Sequence, residues 1–162
     1  MDEYKVPKDQ AKVVVRLRAL KPVEGVIFLS STAEHHRGQE MLSDYFLRDK
    51  TFLPLKENGG VSVLVRKEAI YWVRVADPGE VEWLYYEEKQ GVPRQRICCQ
   101  FPDGEALEGY IYAIAPEGRR RVSDLVNQCQ GFMHLECDDT LYLVNLNHVT
   151  TVRIVEENLA SS

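Results

Sequence analysis

The sequence has no long hydrophobic run, and its apolar stretches fall short of the roughly 20 residues that a membrane helix needs. Its first residues, Met1 to Lys5, lack the basic-then-apolar pattern of a secretory signal. These two absences favour a cytoplasmic protein with no membrane partner.

Motifs of the common enzyme classes are also missing. The chain contains no Gly-x-Ser-x-Gly, no phosphate-cradling glycine loop and no His-Glu-x-x-His. Its four cysteines, Cys98, Cys99, Cys129 and Cys137, form no Cys-x-x-Cys pair. Neighbours such as Cys98 and Cys99 point to opposite faces of a strand, which suits neither a zinc site nor a disulfide framework.

The four histidines do not suggest a metal site either. A helical zinc site would place two histidines four residues apart, or would add carboxylates at fixed spacing. His35 and His36 are adjacent in a polar stretch, while His134 and His148 stand apart. We therefore predict no catalytic residue, no metal and no cofactor.

What the sequence does contain is an internal repeat. When Val13 is placed on Ile97, a second set of strand-like residues falls into register without a gap. The superposed pairs include Val15 with Cys99, Leu17 with Phe101, Val23 with Leu107, Glu24-Gly25 with Glu108-Gly109, and Ile27 with Ile111. One small domain used twice is the organisation that this pattern indicates.

Each copy alternates apolar and polar residues with the period of two that is typical of half-buried strands. We predict a mainly β fold of two tandem small five-stranded barrel-like repeats, each with one short helix between strands 2 and 3. The predicted segments are a lead-in over 1–11, a first repeat over 12–75, a connecting segment over 76–95 that can add an extra strand, a second repeat over 96–154 and a tail over 155–162.

Six residues, three in each copy, are predicted to have structural roles. Gly25 and Gly109 lie inside the second strands, where glycine marks a bend, a bulge or a close backbone approach, and we predict a sharp bend that curls each sheet. Ser43-Asp44 and Ser123-Asp124 recur at the predicted helices, with serine as the N-cap and aspartate in the first turn.

The connecting segment is rich in aromatic residues. Trp83, Tyr85 and Tyr86 are expected to cover the seam between the two repeats. The alternative is an exposed surface on which a ligand stacks.

The second copy carries a family resemblance. Phe101-Pro102-Asp103-Gly104, followed by Gly109, resembles the first half of the Sm-like fold, and 144–149 resembles its last pair of strands. The repeat is also similar to a bacterial domain of unknown function with the same Ser-Asp helix and valine-rich hairpin. The resemblance implies a small barrel. The aspartate and asparagine that read RNA bases in Sm-like proteins have no counterpart here.

The two copies differ in charge. Residues 12–75 contain 11 Lys and Arg against 7 Asp and Glu, whereas residues 96–154 contain 5 against 8. A candidate binding face on the first copy consists of Arg16, Arg18, Arg66, Lys67, Tyr71, Trp72 and Arg74. Docking of the unlike copies on each other, or scattered solvated charges, would explain the same basic residues.

The functional prediction is a non-catalytic protein-binding, scaffolding or regulatory module whose partner is another protein. Small barrels bury little surface alone, and their edge strands are natural docking sites for a partner strand. The alternative is an Sm-like RNA- or nucleic-acid-binding protein that uses the basic first repeat. The net charge of −5 argues against a general nucleic-acid binder.

Overall fold

The computed structural model describes residues 9–19, 21–30 and 40–156. Most of the predicted lead-in, the loop with His35 and His36, and the tail beyond residue 156 lie outside the described residues. Across the described ranges, the helices are too short and too polar to traverse a lipid bilayer.

Strands dominate the described residues, which confirms the prediction of a mainly β fold. The strands are β1 (Gln10–Leu17), β2 (Val23–Phe28), β3 (Phe52–Glu57), β4 (Ser62–Arg66), β5 (Ile70–Val75), β6 (Arg94–Gln100), β7 (Ala106–Tyr112), β8 (Phe132–Cys137), β9 (Thr140–Asn145) and β10 (Thr151–Glu156). The helices are α1 (Leu42–Tyr45), α2 (Pro78–Val81), α3 (Trp83–Glu88) and α4 (Val122–Gln128).

The two halves of the chain have the same order of elements. α1 lies between β2 and β3, and α4 lies between β7 and β8, as predicted for the short helix of each copy. A three-residue 3-10 turn then joins the last two strands of each half, at Lys67–Ala69 and Leu146–His148. The predicted ends differ slightly, because β1 begins at Gln10, β6 at Arg94, and β10 continues to Glu156.

All ten strands form a single antiparallel sheet in the order β10-β6-β7-β8-β9-β5-β1-β2-β3-β4. The first half contributes the order 5-1-2-3-4, and the second half contributes the equivalent order 10-6-7-8-9. Pairing of β5 with β9 joins the halves. Both strands are largely buried on their two faces, which is why each is almost continuously apolar.

The hydrophobic core consists of two clusters, and each contains residues from both halves of the chain. The cluster of the first half includes Leu141 and Leu143 from β9. The cluster of the second half includes Tyr71 and Trp72 from β5. Each half therefore completes its core with side chains that the other half supplies.

Gly25 and Gly109 occupy places where the neighbouring strand comes very close. A Cβ atom on Gly25 would lie 2.6 Å from the carbonyl oxygen of Lys56, and one on Gly109 would lie 2.4 Å from that of Glu136. Real side chains do not make such contacts with backbone. Close approach of β3 and β8 is thus the reason that the structure provides for glycine at the two equivalent positions.

The connecting segment forms α2 and α3 rather than the extra strand that the sequence allowed there. Pro78 occupies the first turn of α2, where its fixed φ angle favours a helix and its missing N–H costs nothing. Val81 ends α2 and Tyr85 lies in α3, with the non-helical Glu82 between the two helices. Both side chains are buried in the core cluster of the first half, so the two short helices pack on that core.

Candidate functional site

Polar contacts beside the paired strands β5 and β9 stabilise the junction between the two halves. The buried Asn145 side chain donates through Nδ2 to the carbonyl oxygen of Ile70 at 3.0 Å. His148 Nε2 contacts the carbonyl oxygen of Glu68, in the 3-10 turn of the other half. A buried amide with a satisfied hydrogen bond fixes the register of the elements it joins.

Three of the predicted binding-face residues lie at this junction. Arg16 forms ion pairs with Asp103 at 2.8 Å and with Glu105 at 3.2 Å. Trp72 donates through Nε1 to Glu105 at 3.3 Å, and Tyr71 is buried beneath the Arg16 guanidinium. These contacts correspond to the alternative in which the basic first half docks on the acidic second half.

Arg18, Arg66 and Lys67 lie elsewhere in the first half. The side chain of Arg18 is exposed, and the Arg66 guanidinium lies 4.5 Å from the ring centre of Phe52. Lys67 donates through Nζ to the carbonyl oxygen of Arg48 at 2.5 Å. Arg66 is the last residue of β4, and Lys67 begins the 3-10 turn that follows it.

Arg74 lines a groove of about 630 Å³ at the meeting of the two halves. Lys12 and Tyr142 also line this groove. Its remaining polar residues include Glu24, which accepts a hydrogen bond from the Asn58 side chain at 3.1 Å. The seven predicted residues are thus distributed among the junction, the β4 region and this groove.

The repeated Ser-Asp pairs stabilise helix starts, but through aspartate alone. Asp44 accepts from the backbone N–H of Met41 at 3.1 Å, and Asp124 accepts from that of Arg121 at 3.3 Å. Ser43 and Ser123 lie inside α1 and α4, so the prediction that they are N-caps is wrong. The reason is that each helix begins one residue before its serine.

Sequence reasoning missed the buried carboxylate of Glu82, which links both halves to the connecting segment. Glu82 is 1% exposed, and its carboxylate contacts His134 Nε2 at 2.5 Å and accepts from the backbone N–H of Ser43 at 2.7 Å. His134 aligns with Pro54 of the first half, so the repeat gives no indication of its contact with the connecting segment. The sequence gives no local signal for this role, because Glu80, Glu87 and Glu88 are acidic residues of the same segment.

Tyr85 extends the same link. Its ring stacks on His134 at a centroid distance of 4.2 Å, and its hydroxyl donates to Glu136 at 2.8 Å. Lys89 also binds Glu136, at 2.5 Å. Tyr85 is also part of the core cluster of the first half, so it contacts both halves. Beside it lies a cavity of about 270 Å³, whose lining includes His134 and Cys129.

The cysteines near these sites are poor nucleophiles. Burial, followed by the nearby Cys98 and Cys137, raises the pKa of the Cys99 thiol to about 12. Burial also raises the pKa of Cys129, and that of Cys137 to about 11. All three thiols are therefore protonated at neutral pH. Over the residues that the structure covers, no cluster of three His, Cys, Asp or Glu side chains is placed to hold a metal ion.

The two ends of the sheet are the surfaces best suited to a partner. Within residues 9–19, 21–30 and 40–156, β4 pairs only with β3, and β10 pairs only with β6. Among these described residues, neither strand has a partner strand on its outer side, where the backbone groups of an end strand are open to pairing. Leu64 on β4 is 67% exposed, and Ile154 on β10 is 44% exposed.

Several large apolar side chains on or beside β4 and β10 are exposed. They are Phe52, Val61 and Leu64 at the β4 end, and Ile154 and Val155 at the β10 end. Apolar side chains next to free backbone donors and acceptors are what an added strand requires.

No family model matches the sequence, and no curated protein or solved structure is significantly similar to it.

Proposed function

We propose that this chain is a non-catalytic protein-binding and scaffolding module that docks a partner strand on the edges of its sheet. The observation that carries this proposal is the exposure of Leu64 and Ile154 on β4 and β10, the two end strands. Backbone hydrogen bonds along an edge provide affinity, and the neighbouring side chains provide specificity.

The duplicated architecture supports the same function. We interpret the halves as two copies of one barrel-like unit, because their elements follow one order and both have the close-approach glycine. Fusing two such units through β5 and β9 covers one edge of each and leaves one edge of each open. A two-ended scaffold is the result.

The proposal is tested by comparing proteins captured by the tagged wild-type chain with those captured by edge variants. Leu64→Lys places a charge on β4, which is the device by which natural edge strands resist pairing. Ile154→Lys does the same on β10. We expect wild type to retain a protein in stoichiometric amount, and we expect at least one of these variants to lose it.

Phe28→Lys is the matched control, because Phe28 is an exposed apolar residue on β2, an interior strand of the sheet. It is expected to retain the partner. Recovery of RNA instead, with strong salt dependence and no effect of Leu64→Lys, would contradict the proposal. That outcome would favour the Sm-like alternative, for which the groove with Lys12, Arg74 and Tyr142 is the best-placed surface.

A further inference from the structure

We propose that the partner strand belongs to a second copy of this chain, and that copies assemble head to tail through β4 of one and β10 of the next. This inference rests on the proposed function, since it names the protein that docks on the edges. Its template is the pairing of β9 with β5, which the molecule already contains.

The two free edges are the counterparts of the two strands that meet inside the chain. In the sequence repeat, residues 61–66 match residues 140–145, so β4 corresponds to β9. Val73-Arg74 matches Val152-Arg153, so β10 corresponds to β5. β4 therefore has the place in the first half that β9 has in the second, and β10 has the place of β5. Leu64 repeats Leu143, and Val152 repeats Val73, whereas threonines stand on the second copy where β5 has Tyr71 and Trp72.

Burial differs at these counterparts in the way that a missing neighbour would produce. Leu143 is 0% exposed at the internal junction, where it enters the core of the first half, whereas its counterpart Leu64 is largely exposed. Val75 is 4% exposed, whereas its counterpart Ile154 is 44% exposed. Burial of these exposed apolar side chains against a second copy therefore favours association.

The internal junction also predicts the register of the external one. In the chain, β5 and β9 pair antiparallel at four positions, which are Trp72 with Val144, Val73 with Leu143, Arg74 with Tyr142 and Val75 with Leu141. Transferring these pairs to their counterparts gives the contacts expected between two copies, namely Leu64 with Val152, Ser62 with Ile154, Val63 with Arg153 and Val65 with Thr151.

Charge favours this arrangement over contact between identical edges. Residues 12–75 have an excess of Lys and Arg, and residues 96–154 have an excess of Asp and Glu. Head-to-tail assembly places a basic half against an acidic half, as Arg16, Asp103 and Glu105 already do within the chain. Contact of β4 with another β4 would bring two basic halves together, which is unfavourable. A head-to-tail contact of this kind is heterologous, so it continues into rings or filaments.

The test uses Leu64→Lys and Ile154→Lys, alone and mixed, with the molar mass measured by light scattering during gel filtration over a concentration series. We expect the wild-type chain, 18.6 kDa as a monomer, to form species larger than a dimer as its concentration rises. Each variant alone is expected to remain monomeric, because each lacks one of the two edges. An equimolar mixture retains one intact β4 and one intact β10, and it is expected to form a heterodimer and nothing larger.

Formation of that heterodimer also shows that both variants are folded, and Phe28→Lys should assemble like wild type. The inference is overturned if wild type remains a monomer at every concentration. It is also overturned if Ile154→Lys dimerises alone, because that result indicates contact between two β4 edges. If wild type is monomeric but still captures a different protein in an edge-dependent manner, the inference fails while the proposed function stands.

Discussion

Replacing Leu143 with alanine is expected to lower the free energy of unfolding of the whole chain by about 2–5 kcal/mol, the range for fully buried leucines. Leu143 is on β9 in the second half, yet its side chain is part of the core of the first half. The substitution therefore removes packing at the junction as well as buried apolar surface. Urea unfolding followed by circular dichroism and by tryptophan fluorescence measures the change.

Leu64→Ala is the matched control, since Leu64 is the counterpart of Leu143 on the exposed strand β4. Measured at a chain concentration low enough to keep the protein monomeric, its effect is expected to stay within about 0.5 kcal/mol. Equal effects of the two substitutions would contradict a shared core at the junction. So would separate unfolding transitions for the two halves of the wild-type chain.

The second large effect is expected at the two close-approach glycines. Alanine at Gly109 or Gly25 places a Cβ within 2.4 or 2.6 Å of a backbone carbonyl oxygen, and the neighbouring strand must shift to accept it. We expect each substitution to destabilise the fold by about 1–3 kcal/mol, as overpacking does elsewhere. Thermal and urea unfolding of the purified variants provide the measurement.

Gly79→Ala is the control for this pair, because a Cβ at Gly79 would meet no atom within 4 Å. Gly79 lies in α2, where alanine is the better helix former, so a small gain in stability is expected. Neutral effects at both Gly25 and Gly109 would show that β3 and β8 do not approach β2 and β7 as closely as the structure has them.

Sequence reasoning succeeded where a local pattern carries the information. The alternation from Val13 to Leu17 and its copy from Ile97 to Phe101 predicted strands, because side chains of a half-buried strand must alternate. The repeated Gly25 and Gly109 indicated a shared backbone requirement, and the spacing of Ser43-Asp44 located α1.

The same reasoning could not find contacts between segments that are distant in sequence. Nothing in the pattern of 70–75 or 140–145 specifies that β5 pairs with β9, because register between distant strands depends on the whole packed core. Arg16 alternates with the buried Val15 and Leu17 on β1, but its partners Asp103 and Glu105 belong to the other half.

The helical connecting segment was missed because its aromatic residues have high strand propensity. Tertiary context overrides that propensity, because packing of the two short helices buries Val81 and Tyr85 in the core of the first half. Glu82 could not be recognised from sequence, since its role depends on His134 and on the backbone of Ser43 meeting at one point.

Hydrogen exchange of the edge amides at low and high chain concentration is the most direct test of docking through β4 and β10. As concentration rises, exchange is expected to slow in both β4, residues 62–66, and β10, residues 151–156, while the interior strand β2 is unchanged. Simultaneous protection of both edges is what docking of one copy on the next requires. Exchange that is independent of concentration at both edges, or that slows at one edge alone, would contradict it.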